Sequence, residues 1–456
     1  MAKSKEPPSQ AVNERMEAGK ALRSTLPRAA HGVWKPPPDR RDPIRILEES
    51  NRGRLPELIP IRYGRMVRSP FTFLRGSAAL MARDLAATPT TGVRVQACGD
   101  CHLLNFGVFA TPERNLIFDL NDFDETLPAP WEWDIKRLAV SIIVAGRDFG
   151  IPDKRSRDAV AACVRTYRER LNEFTGMSPL EVWYYRIDEK TLMEMAPDAE
   201  ARARRGKLFE KAHKRIGEYL LPKITERIGG RCRLVDSAPL LYHMDEEDFF
   251  ERVNCAIEEY RQSLPDERRV LFNRYRLEDV AVKVVGIGSV GTRCMVGLFM
   301  TDEGHTLLLQ FKEAVPSVLE PYAGKSIYKN QGQRVVVGQR LMQSASDIFL
   351  GWTRSKRGKD FYFRQLRDMK FSPPLEGMTG TMLERYAGLC GWTLARAHAR
   401  SGDTATIAGY LGGKDKFDLV LADFAVAYAD QNEKDHAALK KAVDSGRIEA
   451  LIEENL

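Results

Sequence analysis

Hydrophobic and polar positions along the chain predict one β-rich stretch enclosed by helical sequence. Between residues 278 and 313, runs rich in β-branched and aromatic residues are separated by glycine-bearing turns, as in a small antiparallel sheet. A helix is expected over Gln331–Gln343, with another strand over Phe361–Leu366. Residues 151–270 and the chain from Leu383 onward instead place apolar residues at helical spacing. The three strands predicted within the stretch are Val280–Val285, Arg293–Met300 and Thr306–Phe311.

A shorter β segment is predicted upstream, between residues 93 and 122. Two strands are expected at Phe106–Phe109 and Asn115–Leu120, joined by a Thr-Pro-Glu-Arg turn. Prolines at positions 128 and 130 then interrupt the chain before an amphipathic helix. Asp134 is suited to cap the N-terminus of that helix, and Gly150 and Pro152 are suited to end it. The pattern therefore predicts a helical body that holds two β-containing regions.

Composition and charge narrow the classes of function. The chain has 456 residues, with 70 Lys and Arg against 63 Asp and Glu, and a formal net charge of +7. The charges are intermixed, with no concentrated basic stripe, so nucleic acid is not the expected partner. The mild positive excess is instead suited to drawing an anionic substrate. No apolar run could span a bilayer and no hydrophobic stretch follows the N-terminus, so we expect a cytoplasmic protein without a membrane partner.

The cysteines favour reduced thiols. They number seven, and most lie singly in apolar surroundings, as expected in a reducing compartment. Cys98 and Cys101 differ, because they have Cys-x-x-Cys spacing. A structural zinc site would need two more ligands, and the sequence has no second such pair. Metal- or thiol-dependent chemistry at this pair is the less favoured alternative.

The segment Gly99-Asp100-Cys101-His102-Leu103-Leu104-Asn105 carries the first candidate chemistry. It places a carboxylate and an amide five residues apart on a loop between predicted strands. Phosphoryl transfer needs a carboxylate to orient the attacking hydroxyl, and oxygen ligands for Mg²⁺. Asp100 is suited to the first role and Asn105 to part of the second. The alternative is a Gly-Asp turn in which Asn105 caps the loop.

Four carboxylates crowd into the seven residues Asp119–Glu125, directly after an apolar strand. Their mutual repulsion is costly unless a cation or basic groups offset it. A metal site is the favoured interpretation, because the neighbouring apolar residues suit an exposed acidic turn less well. The alternative is such a solvated turn. The candidate metal ligands are Asn105, Asp119, Asp122 and Asp124.

Gly286-Ile287-Gly288-Ser289-Val290-Gly291 is a glycine-rich segment between two predicted strands. Such a strand–loop–strand arrangement covers nucleotide phosphates in kinases, because glycines let the backbone approach closely. Lys312 ends the next predicted strand and is suited to holding the α- and β-phosphates. The alternatives are an ordinary β-hairpin and a lysine that reaches solvent. The candidate nucleotide-binding residues are Gly286, Gly288, Ser289, Gly291 and Lys312.

Together these segments resemble the protein-kinase-like superfamily, above all its aminoglycoside and choline phosphotransferase branch. The matching segments are Gly99-Asp100 with Asn105, Phe118-Asp119 through Asp122, and the helix start Trp133-Asp134-Ile135. The resemblance implies ATP and Mg²⁺ as cofactors, with Asp100, Asn105 and Asp122 as the catalytic residues. Asp122 is preferred to Asp119 as the main metal ligand, because Asp119 belongs to the predicted strand.

The chain also resembles an uncharacterised bacterial family of domain-of-unknown-function status. The segments that carry this resemblance are Ser69–Gly76, Asn121–Glu125 and Leu394–Asp403. It covers nearly all of residues 60–456.

The order of the segments differs from that of the superfamily, in which the glycine loop and lysine precede the catalytic loop. A circular permutation explains the order and implies an α+β, two-lobed kinase-like fold, with a β-rich small lobe inserted within a mainly helical large lobe. The implied divisions are a basic, Pro-rich arm that is loosely held and wraps a later domain (1–60), the catalytic-loop and metal-binding part of the large lobe (61–270), the nucleotide-binding small lobe (271–370) and a helical return to the large lobe (371–456).

Two departures from the superfamily pattern keep alternatives open. Cys98 stands where a His is usual, and the predicted helix Gln331–Gln343 contains no Glu to pair with Lys312. Glu313 and Glu320 are the nearest acids. The favoured function is phosphotransfer from ATP to a hydroxyl of a small molecule or protein. The alternatives are a nucleotide-binding pseudokinase-type regulator and an AMP transferase.

Overall fold

The computed structural model describes residues 9–214, 221–222, 224–229, 231–366 and 369–453. It is a mixed structure of helices and several antiparallel sheets. The helices are α1 (Gln10–Thr25), α2 (Pro43–Ser50), α3 (Ile59–Met66), α4 (Pro70–Gly76), α5 (Ala78–Ala86), α6 (Trp131–Asp148), α7 (Asp153–Phe174), α8 (Pro179–Tyr184), α9 (Glu189–Glu194), α10 (Ala199–Lys214), α11 (Phe249–Ser263), α12 (Asp266–Phe272), α13 (Glu320–Ala323), α14 (Gln331–Met342), α15 (Gly380–Ala399), α16 (Thr404–Leu411) and α17 (Lys416–Asp444).

The strands form one large and three small sheets within the described residues. The large sheet has the antiparallel order β12-β13-β11-β10-β9-β8, and the small ones are β1-β4, β2-β3-β5 and β6-β7. The strands are β1 (Arg94–Ala97), β2 (Phe106–Ala110), β3 (Leu116–Leu120), β4 (Leu127–Pro130), β5 (Ile187–Asp188), β6 (Thr225–Ile228), β7 (Arg231–Leu234), β8 (Leu241–Tyr242), β9 (Arg276–Lys283), β10 (Cys294–Met300), β11 (Thr306–Ala314), β12 (Gly351–Arg354) and β13 (Asp360–Gln365).

The large sheet presents two different faces because side chains alternate along a strand. On β11, Phe311 lies opposite Phe363 of β13, and Lys312 lies opposite Tyr362. The phenylalanines pack beneath α11 and α12, where the ring of Tyr260 stacks on Phe363 at 4.0 Å between centroids. This outer face is therefore covered by helices. The inner face, which carries Lys312 and Tyr362, is turned toward the rest of the molecule.

The helical part is built around α6, α7, α15 and α17. From Trp131 to Gly146, every residue of α6 is buried, because neighbouring helices cover it on all sides. The longest contact is between α7 and α15, where Gly391 lets the backbones approach closely: a Cβ there would lie 2.1 Å from the carbonyl oxygen of Cys163. This core fixes α6, from which the side chains of Asp134, Arg137 and Ser141 reach the loop described below.

Most predicted elements of the β-rich stretch are confirmed. The three strands, the following helix and the strand near residue 361 occur at β9, β10, β11, α14 and β13. The prediction missed β12, and it missed the short strands β5 to β8 within residues that were predicted to be mainly helical. These strands exist through tertiary pairing, as where β8 hydrogen-bonds to β9, so local periodicity does not mark them.

Two local predictions were wrong. Asp134 does not cap α6, which begins three residues earlier at Trp131, and the Asp134 carboxylate is buried within the helix. From residue 9 onward, where the structure describes it, the N-terminal segment (1–60) is packed rather than loosely held. Its α1 lies against α16, where Arg23 donates a hydrogen bond to the carbonyl of Tyr410 (2.9 Å). This is a contact with a later part of the chain, of the kind that the sequence led us to expect.

No helix among the described residues combines the length and apolar character needed to cross a bilayer.

Candidate functional site

A cavity of about 410 Å³ lies where the glycine loop (residues 286–291), the acidic loop (121–125) and the loop 98–105 meet the N-terminal segment. The structure thus brings together most of the predicted site residues from both distant parts of the sequence. Those that line the cavity are Asp100, Asn105, Asp122, Asp124, Gly286, Gly288 and Ser289. Lys312 reaches the cavity wall through Asp124, and Gly291 ends the glycine loop against Arg54.

Loop 98–105 is held from behind by Asp134 of α6. The two carboxylate oxygens of Asp134 accept hydrogen bonds from the backbone N–H groups of Cys98 (2.7 Å) and Gly99 (3.0 Å). Gly99 has φ +81°, and a Cβ there would lie 2.4 Å from the carbonyl oxygen of Glu125. Only glycine fits this turn, which explains its position directly before Asp100.

A buried chain of hydrogen bonds orients Asp134 in turn. His398 Nε2 lies 3.2 Å from Asp134 Oδ2, and His398 Nδ1 lies 2.8 Å from the hydroxyl of Tyr167. A neutral imidazole with its proton on Nε2 satisfies both contacts, with the tyrosine hydroxyl donating to Nδ1. The histidine of the segment Leu394–Asp403 therefore supports the loop from α15.

Asp100 is oriented by one strong partner. Arg137 Nε donates to Asp100 Oδ1 at 2.7 Å, while Arg137 Nη2 donates to the carbonyl of Leu74 at 2.8 Å. His102 Nε2 is 3.9 Å from Asp100 Oδ2, beyond hydrogen-bond distance, and burial lowers the pKa of His102 to about 3. His102 is neutral at pH 7, so Arg137 carries the positive charge beside Asp100. A fifth of the Asp100 side chain (20%) remains accessible from the cavity.

Asn105 presents an oxygen to the cavity. Its side-chain amide nitrogen donates to the backbone carbonyl of Asp100, so the Oδ1 atom is the one suited to a ligand. Its backbone carbonyl accepts a hydrogen bond from the N–H of Asn121 at 2.9 Å. This last bond ties loop 98–105 directly to the start of the acidic loop.

Asp124 is the partner of Lys312. Its Oδ2 atom accepts from Lys312 Nζ and from Ser289 Oγ (3.2 Å), and its Oδ1 atom accepts from the hydroxyl of Tyr362 (2.6 Å). Burial alone would raise the pKa of Asp124, but Lys312 and Tyr362 outweigh it and lower that pKa to about 2. Asp124 is therefore ionised at every physiological pH. Asp124 is thus the acidic partner of Lys312, whereas α14 contains no glutamate that could pair with this lysine.

Asp122 lies in a different electrostatic environment. Burial, followed by the negative charge of Asp124, raises the pKa of Asp122. Its carboxylate accepts a hydrogen bond from the N–H of Asp124 (3.2 Å), and no salt bridge joins it to a cationic side chain among the described residues. A cation beside Asp122 would offset both the burial and the repulsion.

Asp119 lies outside the cavity. It is buried on β3, where its carboxylate pairs with Arg396 and accepts hydrogen bonds from the N–H and the hydroxyl of Ser344, both at 2.8 Å. Asp119 belongs to β3, whose residues are all buried, whereas Asp122 and Asp124 lie beyond the end of that strand, in the loop that borders the cavity. The structure therefore separates Asp119 from the other three predicted metal ligands.

Among residues 9–453 as far as they are described, no group of three or more His, Cys, Asp and Glu side chains is arranged to hold a metal ion. Mg²⁺ seldom uses such a cage, because it keeps several waters and takes one or two carboxylates together with substrate phosphates. Asp122 and Asn105 line the same cavity and supply oxygen atoms of the kind Mg²⁺ prefers. They fit this ion as part of a nucleotide complex.

The glycine loop is fixed by its carbonyl oxygens to the N-terminal segment. Arg65 Nη1 donates to the carbonyl of Gly286 at 2.6 Å, Arg54 donates to that of Val290, and the N–H of Leu55 donates to that of Gly291 at 2.7 Å. Gly286 and Gly291 have φ of +59° and +88°, which favours glycine at both ends of the loop.

The middle of the same loop leaves backbone donors for a ligand. Gly288 and Ser289 line the cavity, and their N–H groups donate to no carbonyl within the described residues. Free N–H groups on a glycine-rich loop are suited to phosphate oxygens.

Arg334 of α14 holds the end of the acidic loop in place. Its guanidinium donates to the carbonyl oxygens of Asp124 (2.8 Å), Thr126 (2.7 Å) and Val315 (2.8 Å). In place of a glutamate that would pair with Lys312, α14 thus supplies Arg334, which binds backbone carbonyl oxygens. Glu313 pairs elsewhere, with Arg293 (3.1 Å) and Lys359 (3.2 Å).

The sequence did not identify Glu125 or the arginines of the cavity. Glu125 lines it, and burial raises the pKa of Glu125 to about 7. Six arginines also line it, at positions 41, 52, 54, 62, 75 and 83. The density of arginines between residues 52 and 75 was a usable signal, and Arg75 belongs to the segment Ser69–Gly76 that carries the family resemblance.

The two cysteines of the Cys-x-x-Cys pair belong to loop 98–105 but are buried and do not line the cavity. Cys98 and Cys101 are 1% and 0% exposed, and burial raises the pKa of both thiols. Their protonated, enclosed thiols are unsuited to nucleophilic chemistry at this site.

Comparison with known proteins adds the family. No curated protein and no solved structure matches the chain. Residues 54–442, which include most of the residues that line the cavity, match the family described as "Uncharacterized protein conserved in bacteria". The chain therefore belongs to this bacterial family, DUF2252.

Proposed function

We propose that this protein is an ATP- and Mg²⁺-dependent phosphotransferase that acts on a hydroxyl acceptor. The observation that carries the proposal is the shared cavity: residues 100–125 and 286–292, far apart in sequence, line it together. A kinase-like mechanism requires that a catalytic carboxylate, an amide–carboxylate pair for metal and a glycine loop face one space.

The anchoring of loop 98–105 supports a kinase-like arrangement in permuted order. The proposed catalytic loop is fixed by a buried aspartate near the start of α6, the helix whose first residues carry the resemblance. The small lobe is the sheet β8–β13 with α11, α12 and α14, and the large lobe is the helical part around α6, α7, α15 and α17. Under this proposal α15 is the helix that leads back toward the catalytic loop.

Each side chain has a specific role in the proposed reaction. Asp100, oriented by Arg137, accepts the proton of the acceptor hydroxyl as its oxygen bonds to the γ-phosphorus of ATP. The bond from that phosphorus to the bridging oxygen breaks, and ADP leaves. Asn105 and Asp122 would hold Mg²⁺, which would neutralise charge on the nucleotide phosphates. Lys312 and the N–H groups of Gly288 and Ser289 bind phosphate oxygens.

A nucleotide-binding regulator without turnover is the alternative that one observation favours. Lys312 is 2% exposed, and its partner Asp124 is also bonded to Ser289 of the glycine loop. Nucleotide phosphates must compete with Asp124 for Lys312. In the free protein this lysine is therefore not available to a nucleotide. AMP transfer is a further alternative that uses the same residues.

Labelled ATP separates these three functions. Wild type is incubated with Mg²⁺ and either γ- or α-labelled ATP, and free phosphate and label on protein are measured. Phosphotransfer predicts release or attachment of the γ-label alone, AMP transfer predicts attachment of the α-label, and a regulator predicts neither despite ATP binding.

Two isosteric variants then test the roles. Asp100→Asn should lower γ-label turnover at least about 100-fold and leave ATP affinity within about twofold, because the base does not touch the nucleotide. Asp122→Asn should weaken both ATP binding and turnover. Asp153→Asn, at an exposed position on α7, is the matched control. Equal turnover in wild type and Asp100→Asn would exclude Asp100 as the base.

A further inference from the structure

Arg41 pairs with Glu49, but three other arginines that line the cavity form no salt bridge with a carboxylate among the described residues. Arg54, Arg62 and Arg75, which we call the arginine wall, all line the cavity. Arg54 donates to the carbonyls of Ser50 and Val290, and Arg62 donates to Asn51 and the carbonyl of Gly76. No salt bridge joins any of the three to a carboxylate within the described residues.

Enclosing these charges without counter-ions is energetically costly. Arg62 is 2% exposed, and its Nε atom has no hydrogen-bond partner among the described residues. The same is true of Arg75 Nε, which is also enclosed. A guanidinium stays charged in proteins, so the cost is not relieved by loss of a proton. An anionic ligand in the cavity would relieve it.

The acids across the cavity do not supply this counter-charge. Asp100 is already paired with Arg137, and Asp124 is already paired with Lys312. Glu125 spends one carboxylate oxygen on the N–H of Val318, at 2.7 Å. Asp122 and the other acids of the cavity act on the arginine wall without forming a salt bridge to it, so its guanidinium groups have no carboxylate in direct contact.

The position of Arg75 indicates which ligand group it would meet. Its own carbonyl lies 3.4 Å from where a Cβ on Gly288 would be, so the end of α4 touches the centre of the glycine loop. Asp100 and Asp122 are the acids whose charges act on its guanidinium. An anion bound to Arg75 would therefore be near the proposed base Asp100.

We propose that the arginine wall binds a phosphate group of the acceptor, so that the substrate is an alcohol that already carries a phosphate. That the bound molecule is the acceptor rests on the proposed function. That the wall binds a phosphate group rests on the structure alone. Guanidinium groups suit a phosphate because their parallel N–H donors match its oxygens in pairs. The wall comes from residues 54–75, outside the segments that resemble kinases.

Inorganic phosphate tests the wall without knowledge of the rest of the substrate. The melting temperature of the full chain is measured against phosphate concentration, without nucleotide or divalent metal, at ionic strength kept constant with chloride. We expect a saturable rise of about 1–3 °C at ten times the Kd. A rise that never saturates, or none, would overturn the proposal.

Substitutions at Arg75 assign the effect. Arg75→Met should weaken phosphate binding at least about tenfold without lowering the melting temperature of the free protein, because it removes an enclosed, unpaired charge. Arg75→Lys keeps the charge and should retain part of the binding, which also covers the case in which the methionine variant folds poorly. Arg165→Met, at an exposed position on α7, should match wild type.

ATP titrations of the same variants separate this inference from the proposed function. We expect Arg75→Met to bind ATP with Mg²⁺ as wild type does. If it loses ATP and phosphate equally, the wall holds nucleotide phosphates and the acceptor assignment is wrong. If wild type binds phosphate through Arg75 but binds no ATP at millimolar concentration, the proposed function fails while phosphate recognition by the wall stands.

Discussion

Loop 98–105 and the acidic loop 121–125 form adjacent walls of one cavity but are stabilised in opposite ways. In the first, each charged or polar group has a buried partner: Asp134 binds two backbone N–H groups, and Arg137 binds Asp100. In the second, Asp122 and Asp124 are close enough to repel each other, and Lys312 is the cation that pairs with Asp124. Loop 98–105 is therefore fully held by its protein partners, whereas the acidic loop carries more negative charge than its surroundings neutralise.

The difference between the two loops indicates where a bound cation would stabilise the protein most. A cation gains little beside loop 98–105, since Arg137 already neutralises Asp100. Beside Asp122 it removes both a burial cost and a repulsion. The contrast predicts that the two loops respond to substitution with opposite signs.

The largest expected effect comes from breaking the support of loop 98–105. Asp134→Ala leaves the N–H groups of Cys98 and Gly99 and the ring of His398 without their acceptor. We expect a loss of about 3–5 kcal/mol in the free energy of unfolding, measured by urea denaturation. Asp153→Ala, exposed on α7, should change it by less than about 0.5 kcal/mol. Similar losses in the two variants would show that the support is not what holds the loop.

The second prediction concerns Glu125 and pH. Its pKa in the folded protein is about 7, against an ordinary value of 4.5, because of burial. Between these two pH values the folded state binds more protons than the unfolded state, so stability is greatest below pH 4.5 and falls as the pH rises to 7. The loss amounts to about 3 kcal/mol at most.

Glu125→Gln should remove that pH dependence, because an amide keeps the hydrogen bond from Val318 and cannot ionise. Unfolding measured at pH 5 and pH 8 should therefore show a smaller difference for Glu125→Gln than for wild type. An unchanged difference would place the titration on another group.

The third prediction reverses the usual sign for removal of a charge. Asp122→Asn removes the repulsion with Asp124, so the free protein should gain about 1 kcal/mol in stability. In the same variant, ATP with Mg²⁺ should give little or no rise in melting temperature. A loss of stability in the free variant would mean that Asp122 is already neutralised.

The smallest expected effect is at the contact between the acidic and glycine loops. Ser289→Ala removes one hydrogen bond to Asp124 and should cost about 0.5–1 kcal/mol in unfolding free energy. Because Asp124 is then bonded to one loop fewer, ATP affinity should rise slightly. Calorimetric titration with ATP measures this, and a fall in affinity would indicate that the serine itself contacts the nucleotide.

How much of this could be predicted from sequence depends on the range of the interaction. The strands β9, β10 and β11 were predicted because β-branched residues and glycine turns are local signals. Asp100 and Asn105 were identified because their spacing along the chain carries the chemistry. The partner of Lys312 was not predicted, because Asp124 lies 188 residues away and no spacing connects them.

Asp119 and Asp122 show the same limit within a single segment. They are three residues apart, and the sequence treats them alike as carboxylates after a strand. The fold separates them, since β3 turns Asp119 toward Arg396 while Asp122 emerges at the cavity. The half-buried Arg54 and the buried Arg62 were missed for a related reason: arginines outside any motif indicate exposure, and only tertiary packing encloses them.

The anchoring of the glycine loop by Arg54, Leu55 and Arg65 has a consequence for how the protein is made. These residues leave the ribosome more than 220 residues before the loop that they hold, as the separation between Arg65 and Gly286 shows. Closing so long a loop is entropically costly, and such contacts form late in folding. The helices of the first 270 residues can form during synthesis, but the glycine loop is anchored only after the chain has been made to residue 291 and has returned to residues 54–65. The cavity therefore cannot close before that contact is made.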